Sequence, residues 1–202
     1  VKRLFPETKV TIGPFLENKF YYDFDVKTPF SEEDLKRIEE EMYNISNENL
    51  DIIHEEKSRD EALKFFDQIG ENYKVEIIND LDKNEILKVY SQGEFTDLCR
   101  GPHIPSTGVI KHFKLLSSSA AYWRGDEKNQ TLQRVYGTSF QNSKDLKKYL
   151  LMLEEQKKRD HRKIGKELDL FFFDDEIGPG LPLWTPSGTV LIDELEALAK
   201  EK

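Results

Sequence analysis

The segment Phe95-Thr96-Asp97-Leu98-Cys99-Arg100-Gly101-Pro102-His103 puts a carboxylate, a thiol, a guanidinium and an imidazole within one short stretch. The Cys-x-x-x-His spacing of Cys99 and His103 suits two ligands on one metal ion, or a thiol and a base beside one substrate. Zinc normally takes three or four protein ligands. The other histidines, His54, His112 and His161, come with no second cysteine. A buried, inert cysteine beside a surface histidine accounts for the same residues. Lys74, at the start of an apolar run, reads either as the edge of a pocket or as an ordinary exposed lysine. Tyr122-Trp123-Arg124-Gly125-Asp126 offers aromatics for stacking and an arginine for phosphate, or a core strand ending in a turn. Tyr21 and Tyr22 carry the same ambiguity. His112 reads as a functional imidazole or as an ordinary surface or core histidine. His54, flanked by Glu55 and Glu56, and His161, in a basic run, read as solvated.

The elements that must position these groups follow from periodicity. Lys9 to Ile12 and Phe20 to Val26 predict strands, rich in β-branched and aromatic residues. Ser31-Glu32-Glu33-Asp34 predicts a capped helix start, with Leu35, Ile38, Met42 and Ile45 as its apolar stripe. Ser58, with Glu61 three residues on, predicts a second helix ending near Gly70. Tyr73 to Ile78 and Ile86 to Tyr90 read as strands around a polar turn, Asn79 to Glu85. Gly93 to Gly108 reads as loop. Phe113 to Leu116, Ala120 to Arg124 and Thr131 to Thr138 read as strands, with a turn at Gly125-Asp126. This is an α+β pattern with antiparallel strands. From Ser143 the spacing of Leu146, Tyr149, Leu150 and Leu153 predicts one helix to about Lys166. A rigid loop over Gly178 to Pro182 and a last helix over Thr189 to Lys202 follow.

Bulk properties narrow the class. The chain has 202 residues, 37% hydrophobic and 34% charged, with a mean hydropathy of -0.67. A core is affordable, but no apolar run reaches the ~18 residues of a membrane-spanning helix. The one cysteine excludes a disulfide framework and fits a reducing, cytoplasmic setting. A net charge of -9 argues against a generic nucleic-acid binder. Yet Lys144 to Lys166 gathers nine basic side chains, which is either a phosphate-binding stripe or a solvated helix face. Val1 to Pro6 resembles a helix end, and Leu191 to Lys202 stops inside a helical pattern; both suggest a piece of something longer.

In order along the chain, seven stretches resemble the markers of threonyl-tRNA synthetases. They are Ile12-Gly13-Pro14, Phe20-Tyr21-Tyr22-Asp23, Tyr73-Lys74-Val75-Glu76, Asp97 to His103, Ala121 to Asp126, Leu132 to Thr138 and Arg159 to Leu170. The related alanyl-tRNA synthetases and their free-standing editing proteins end the cysteine motif differently, so Arg100-Gly101-Pro102 favours the threonyl branch. The resemblance implies an editing domain over 1–142, a linker helix over 143–167 and the start of a class II catalytic core over 168–202. It implies a hydrolytic site for serine wrongly esterified to tRNA(Thr), with Lys74, Asp97, Cys99 and His103 lining it. Lys74 would bind the tRNA terminus or polarise the ester, and His103 would orient or deprotonate water. It places the partner His-x-x-x-His motif just before Val1, so the site in this chain would be incomplete and impaired. Zinc at Cys99 and His103 would be an incomplete site. ATP, magnesium and a structural zinc belong to the remainder of a full synthetase, which would be an ATP-dependent ligase and a homodimer through its core. Rival readings are a non-catalytic RNA- or zinc-binding module and a free-standing trans-editing hydrolase.

Overall fold

Ser31 and Ser58 open the first two helices, and both do so as capping boxes. The Ser31 hydroxyl accepts from the Asp34 amide while the Asp34 carboxylate accepts from the Ser31 amide, and Ser58 and Glu61 repeat the exchange. Each box satisfies two backbone donors that the first helical turn leaves free. The structure is a computed structural model and describes residues 1–83 and 85–201. Asn84, in the expected polar turn, and Lys202, at the expected end of the last helix, lie outside the described residues.

The chain divides into two compact units, Val1–Leu146 and Lys147–Lys202. The first is α+β. In chain order it holds β1 (Lys9–Val10), β2 (Phe15–Leu16), β3 (Lys19–Asp25), α1 (Glu32–Glu48), β4 (Ile52–Lys57), α2 (Arg59–Gln68), α3 (Asn72–Asp80), β5 (Leu87–Gln92), β6 (Phe95–Leu98), β7 (His112–Tyr122) and β8 (Thr131–Phe140). One antiparallel sheet runs β1-β3-β8-β7, with β2 on β3. A second antiparallel sheet runs β4-β5-β6. Two apolar clusters fill the unit. Val10, Phe24, Phe30, Ile38, Leu115 and Val135 pack under α1. Ala62, Phe66, Ile78, Leu87 and Val89 join α2 and α3 to the smaller sheet.

Four sequence expectations need correction. Tyr73 to Ile78 is not a strand but most of α3. Its β-branched residues misled, because helix here is held by packing: Lys74 and Ile78, one turn apart, are the buried pair of its inward face. β4 was not foreseen, since Ile52-Ile53-His54-Glu55-Glu56-Lys57 shows no clear alternation. The loop expected over Gly93 to Gly108 contains β6. β7 is one long strand with an irregularity between Leu115 and Ser117 rather than two short ones.

The second unit, with α4 (Ser143–Lys158) leading into it, holds α5 (His161–Glu167), β9 (Phe171–Phe173), β10 (Pro182–Trp184) and α6 (Pro186–Lys200). The single helix expected to Lys166 is therefore two. Asp160 breaks it, because its side chain accepts from the Arg162 amide and caps α5 instead of continuing α4. The expected rigid loop delivers β10, which pairs with β9 as a hairpin. Phe171 packs edge-on against Trp184. Phe172, Phe173, Trp184, Leu195 and Leu198 remain exposed.

A buried lysine, a tyrosine and a carboxylate as candidate active site

Three elements converge on one polar cluster. β3 supplies Tyr22, α3 supplies Lys74 and β6 supplies Asp97. The Lys74 ammonium lies 2.5 Å from Asp97 Oδ1 and donates to the Tyr22 hydroxyl at 3.1 Å. That hydroxyl donates to Asp97 Oδ2 at 2.6 Å. The Leu98 amide donates to Oδ1 at 2.7 Å. Lys74 is 2% exposed. A buried ammonium is tolerated only when paired and hydrogen-bonded, and both conditions are met.

Local sequence explains the convergence. Tyr22 alternates with Phe20 and Phe24 along β3, so its ring joins the apolar core beside Phe24, and its hydroxyl must find a partner there. α3 is fixed at its start by Glu71. That side chain, 4% exposed, meets Lys2 at 2.7 Å and accepts from the Val10 amide at 3.0 Å. Lys74 follows within one turn. Farther along α3, Glu76 and Asp80 hold Arg124, and Glu76 also accepts from the Trp123 indole at 3.2 Å. Tyr73 donates to Asp25. The helix is thus tied to the larger sheet on either side of Lys74.

Electrostatics spread the cluster toward Cys99 and His103. The Tyr22 hydroxyl is held protonated well above the usual tyrosine range, first by burial, then by the charge and hydrogen bond of Asp97, with smaller contributions from Glu71 and Cys99. The His103 imidazole is pushed below its usual 6.5 by partial burial, against the opposing pull of Asp97. Its ring leans on Tyr90 at 4.0 Å between centroids. Cys99 is exposed rather than buried, and its amide donates to the Lys88 carbonyl. A cleft of about 390 Å³ opens at Cys99, walled by Ile77, Leu81, Leu87 and Leu98, with Arg100 and Glu85 at its rim. The cluster therefore offers a fixed carboxylate, a hydroxyl donor, a neutral imidazole and an exposed thiol: the groups needed to place and deprotonate a water molecule.

Residues 87–136 match the family described as threonyl and alanyl tRNA synthetase second additional domain. The whole chain is 54% identical to the threonine–tRNA ligase of Anoxybacillus flavithermus and 56% identical to that of Carboxydothermus hydrogenoformans. Over 97% of its length it is 58% identical to the ligase of Pelobacter propionicus. Along its whole length the chain is threonyl-tRNA synthetase-like. It spans about a third of the length of these relatives: 31%, 32% and 31% respectively.

In this threonyl-tRNA synthetase-like chain, the structure brings Lys74 and Asp97 into contact and sets His103 within reach of the Asp97 charge. Lys74 is too buried to meet a ligand directly; it faces Asp97 and Tyr22. Trp123 is buried and Arg124 is engaged by α3, which anchors the Tyr122 to Asp126 stretch to the fold, while Tyr122 stays exposed. Tyr21 lies under the Arg134 guanidinium, which forks onto Asp23. His112 begins β7 and His161 is exposed on α5. Among the described residues, no three His, Cys, Asp or Glu side chains are grouped to hold a metal ion. Cys99 and His103 thus have no third ligand, and the residues present do not fit a zinc site. No described helix is long and apolar enough to cross a membrane. Sequence reasoning left Tyr22 undecided. Its position between two phenylalanines of an alternating strand was the available signal.

Gly101 shapes the loop that carries His103. Its φ is +67°, and a Cβ there would collide with the Tyr90 hydroxyl. Gly101→Ala is expected to cost about 1–2 kcal/mol for the left-handed conformation alone, lowering Tm by roughly 2–8 °C. Calorimetry checks the stability. An unchanged Tm would show that the loop adapts without strain.

Proposed function

We propose that the chain is the proofreading portion of a threonine–tRNA ligase, hydrolysing serine mistakenly esterified to tRNA(Thr). The observation that carries the reading is the buried Lys74–Tyr22–Asp97 cluster beside an imidazole held neutral. Serine is threonine less one methyl, and a methyl yields only about 1–3 kcal/mol of discrimination in a binding pocket. A second, hydrolytic site then has to remove the error. A water positioned near Asp97 attacks the ester carbonyl while His103 takes its proton. The carbon–oxygen ester bond breaks, the terminal ribose hydroxyl regains a proton, and serine leaves. Lys74 and Tyr22 hold the Asp97 carboxylate in place, and the aminoacyl group lies against Asp97 and His103, with the exposed Cys99 two residues from Asp97. The tRNA acceptor end is the partner. ATP-dependent threonylation, with its magnesium and zinc, belongs to the rest of such a ligase, acting as a cytoplasmic homodimer. No step here passes through a metal.

The test is deacylation of Ser-tRNA(Thr) by the full-length ligase carrying this chain, with Thr-tRNA(Thr) as control. Selective loss of the serine ester is expected. Equal, slow loss of both esters would overturn the hydrolytic reading. The nine exposed basic side chains between Lys144 and Lys166 favour a second reading, an RNA-binding module without catalysis. It would gain if the tRNA bound with a steep salt dependence while neither ester was cleaved.

A further inference from the structure

α3 is poorly equipped to hold itself. It has nine residues, no side chain caps its start, and no basic residue lies in its last turn. Asp80 sits at its end, where the helix dipole disfavours an acid. Tyr73, Glu76 and Asp80 follow at helical spacing and form one stripe. Lys74 and Ile78 form the neighbouring, buried one. The position of Lys74 therefore depends on what grips the stripe beside it.

The grip comes from the turn between β7 and β8. The buried Trp123 directs its indole N–H at both carboxylate oxygens of Glu76, at 3.2 Å each. Its ring meets Tyr73 edge-on at 5.0 Å. Trp123 thus touches α3 just before and just after Lys74. The turn itself is locked. The Trp123 carbonyl accepts from the Asn129 side chain at 3.1 Å, and its amide donates to the Gln130 carbonyl at 2.9 Å. Arg124 adds a second hold, 3.0 Å from Glu76 and paired with Asp80. Arg124, at φ +59°, and Gly125, at +72°, are both left-handed. An arginine in that region is strained, and such strain persists only where surrounding contacts over-determine it. Ion pairs as exposed as those of Arg124 contribute little alone. The buried indole is what fixes the helix.

We propose that Trp123 is a positioning residue for the ester hydrolysis, clamping α3 in the rotation at which Lys74 meets Asp97. This rests on the hydrolytic reading of Asp97 and His103 above, and it adds what sets their geometry. Trp123 touches neither the ester nor the water. It acts through Tyr73 and Glu76 on Lys74, and through Lys74 on the carboxylate that places the water. A misplacement of about 1 Å at a catalytic group can cost about a hundredfold in rate. A helix released along one stripe is therefore felt at Asp97.

Two variants test it in the full-length ligase, by deacylation of Ser-tRNA(Thr) without ATP and by hydrogen exchange of the α3 amides. Trp123→Phe keeps a ring against Tyr73 and removes the indole donor. Glu76→Ala removes the acceptor, at a half-exposed helix position that alanine suits. Each is expected to lower kcat about ten- to a hundredfold and leave KM within about twofold. Each is expected to speed exchange of the Lys74 to Ile78 amides about tenfold, the worth of one hydrogen bond. The double variant is expected to lose no more than Glu76→Ala alone, because both changes remove the same bond. An unchanged kcat in both variants overturns the clamp. So does a raised KM at constant kcat, which would make the turn an RNA contact, and so do losses that multiply in full in the double variant. If Trp123→Phe does not fold, kcat, KM and exchange in Glu76→Ala decide by the same readings. If the wild type cleaves no serine ester, the hydrolytic reading falls. Faster exchange in the variants then keeps the clamp on Lys74, and unchanged exchange overturns it as well.

Discussion

Lys74→Met is expected to lower the stability of the fold by about 3 kcal/mol, the low end of the range for breaking a buried ion pair. Methionine keeps the length of the side chain and removes its charge. Asp97 is then left with the Tyr22 hydroxyl and the Leu98 amide, and its side chain is only 16% exposed. That residual access to water sets the cost at the low end. The double variant Lys74→Met with Asp97→Leu is expected to recover a large part of the loss, since no uncompensated charge remains. Chemical denaturation of the two single variants and the double variant measures the coupling. Additive effects would mean that the pair contributes nothing of its own. Ser-tRNA(Thr) deacylation is expected to disappear in Lys74→Met even under conditions where the protein is fully folded, because the carboxylate loses the group that aims it.

His103→Ala is expected to reduce deacylation by about 10²–10⁴-fold, the usual worth of a positioned general base. As an exposed residue it should change stability by no more than about 0.5 kcal/mol. The pH profile separates a base from a merely structural ring. Burial holds the folded imidazole below its ordinary 6.5. The wild-type rate should therefore be flat above pH 6.5 and fall only below it, as the imidazole takes up a proton. In His103→Ala that acid limb should vanish along with most of the rate. The linked effect on stability has the same direction. Just below pH 6.5 the unfolded chain binds more protons at this position than the folded one, so the contribution is complete above 6.5 and shrinks as pH falls. A variant that keeps the acid limb would assign it to another group.

Legibility in the sequence varied with the kind of force involved. Ser31 with Asp34 and Ser58 with Glu61 announced their helices because capping is a local exchange between residues three apart. The strands around Phe20 to Val26 and Thr131 to Thr138 were legible for the same reason: alternation is local. α3 was not. Its Tyr-Lys-Val-Glu-Ile-Ile run has strand composition, and what makes it helical is Ile78 packing among Ala62, Phe66, Leu87 and Val89, which no window of sequence contains. The candidate site followed the same rule. Asp97, Cys99 and His103 stood together in one motif, and Lys74 entered through family resemblance. Tyr22 was not separable from Tyr21 until β3 was seen to turn one toward the core and the other under Arg134. Trp123 acquired its place on α3 only once that segment was seen to be helix.

The polar cluster joins residues far apart along the chain: Tyr22 and Lys74 are separated by 52 positions in sequence, Tyr22 and Asp97 by 75. Each contact closes a long loop, whose entropy is spent before the contact returns any stabilisation. The hairpin of β5 and β6 can form early, because its strands are neighbours in sequence, but it carries Asp97 alone. Lys74 and Tyr22 join it only once both sheets and α3 have docked. A chain still emerging during synthesis, or one opened by partial unfolding, thus holds the members of the cluster without the cluster. If the proposed ester cleavage resides in this cluster, it becomes available only in the last steps of folding, when β3, α3 and β6 have come together.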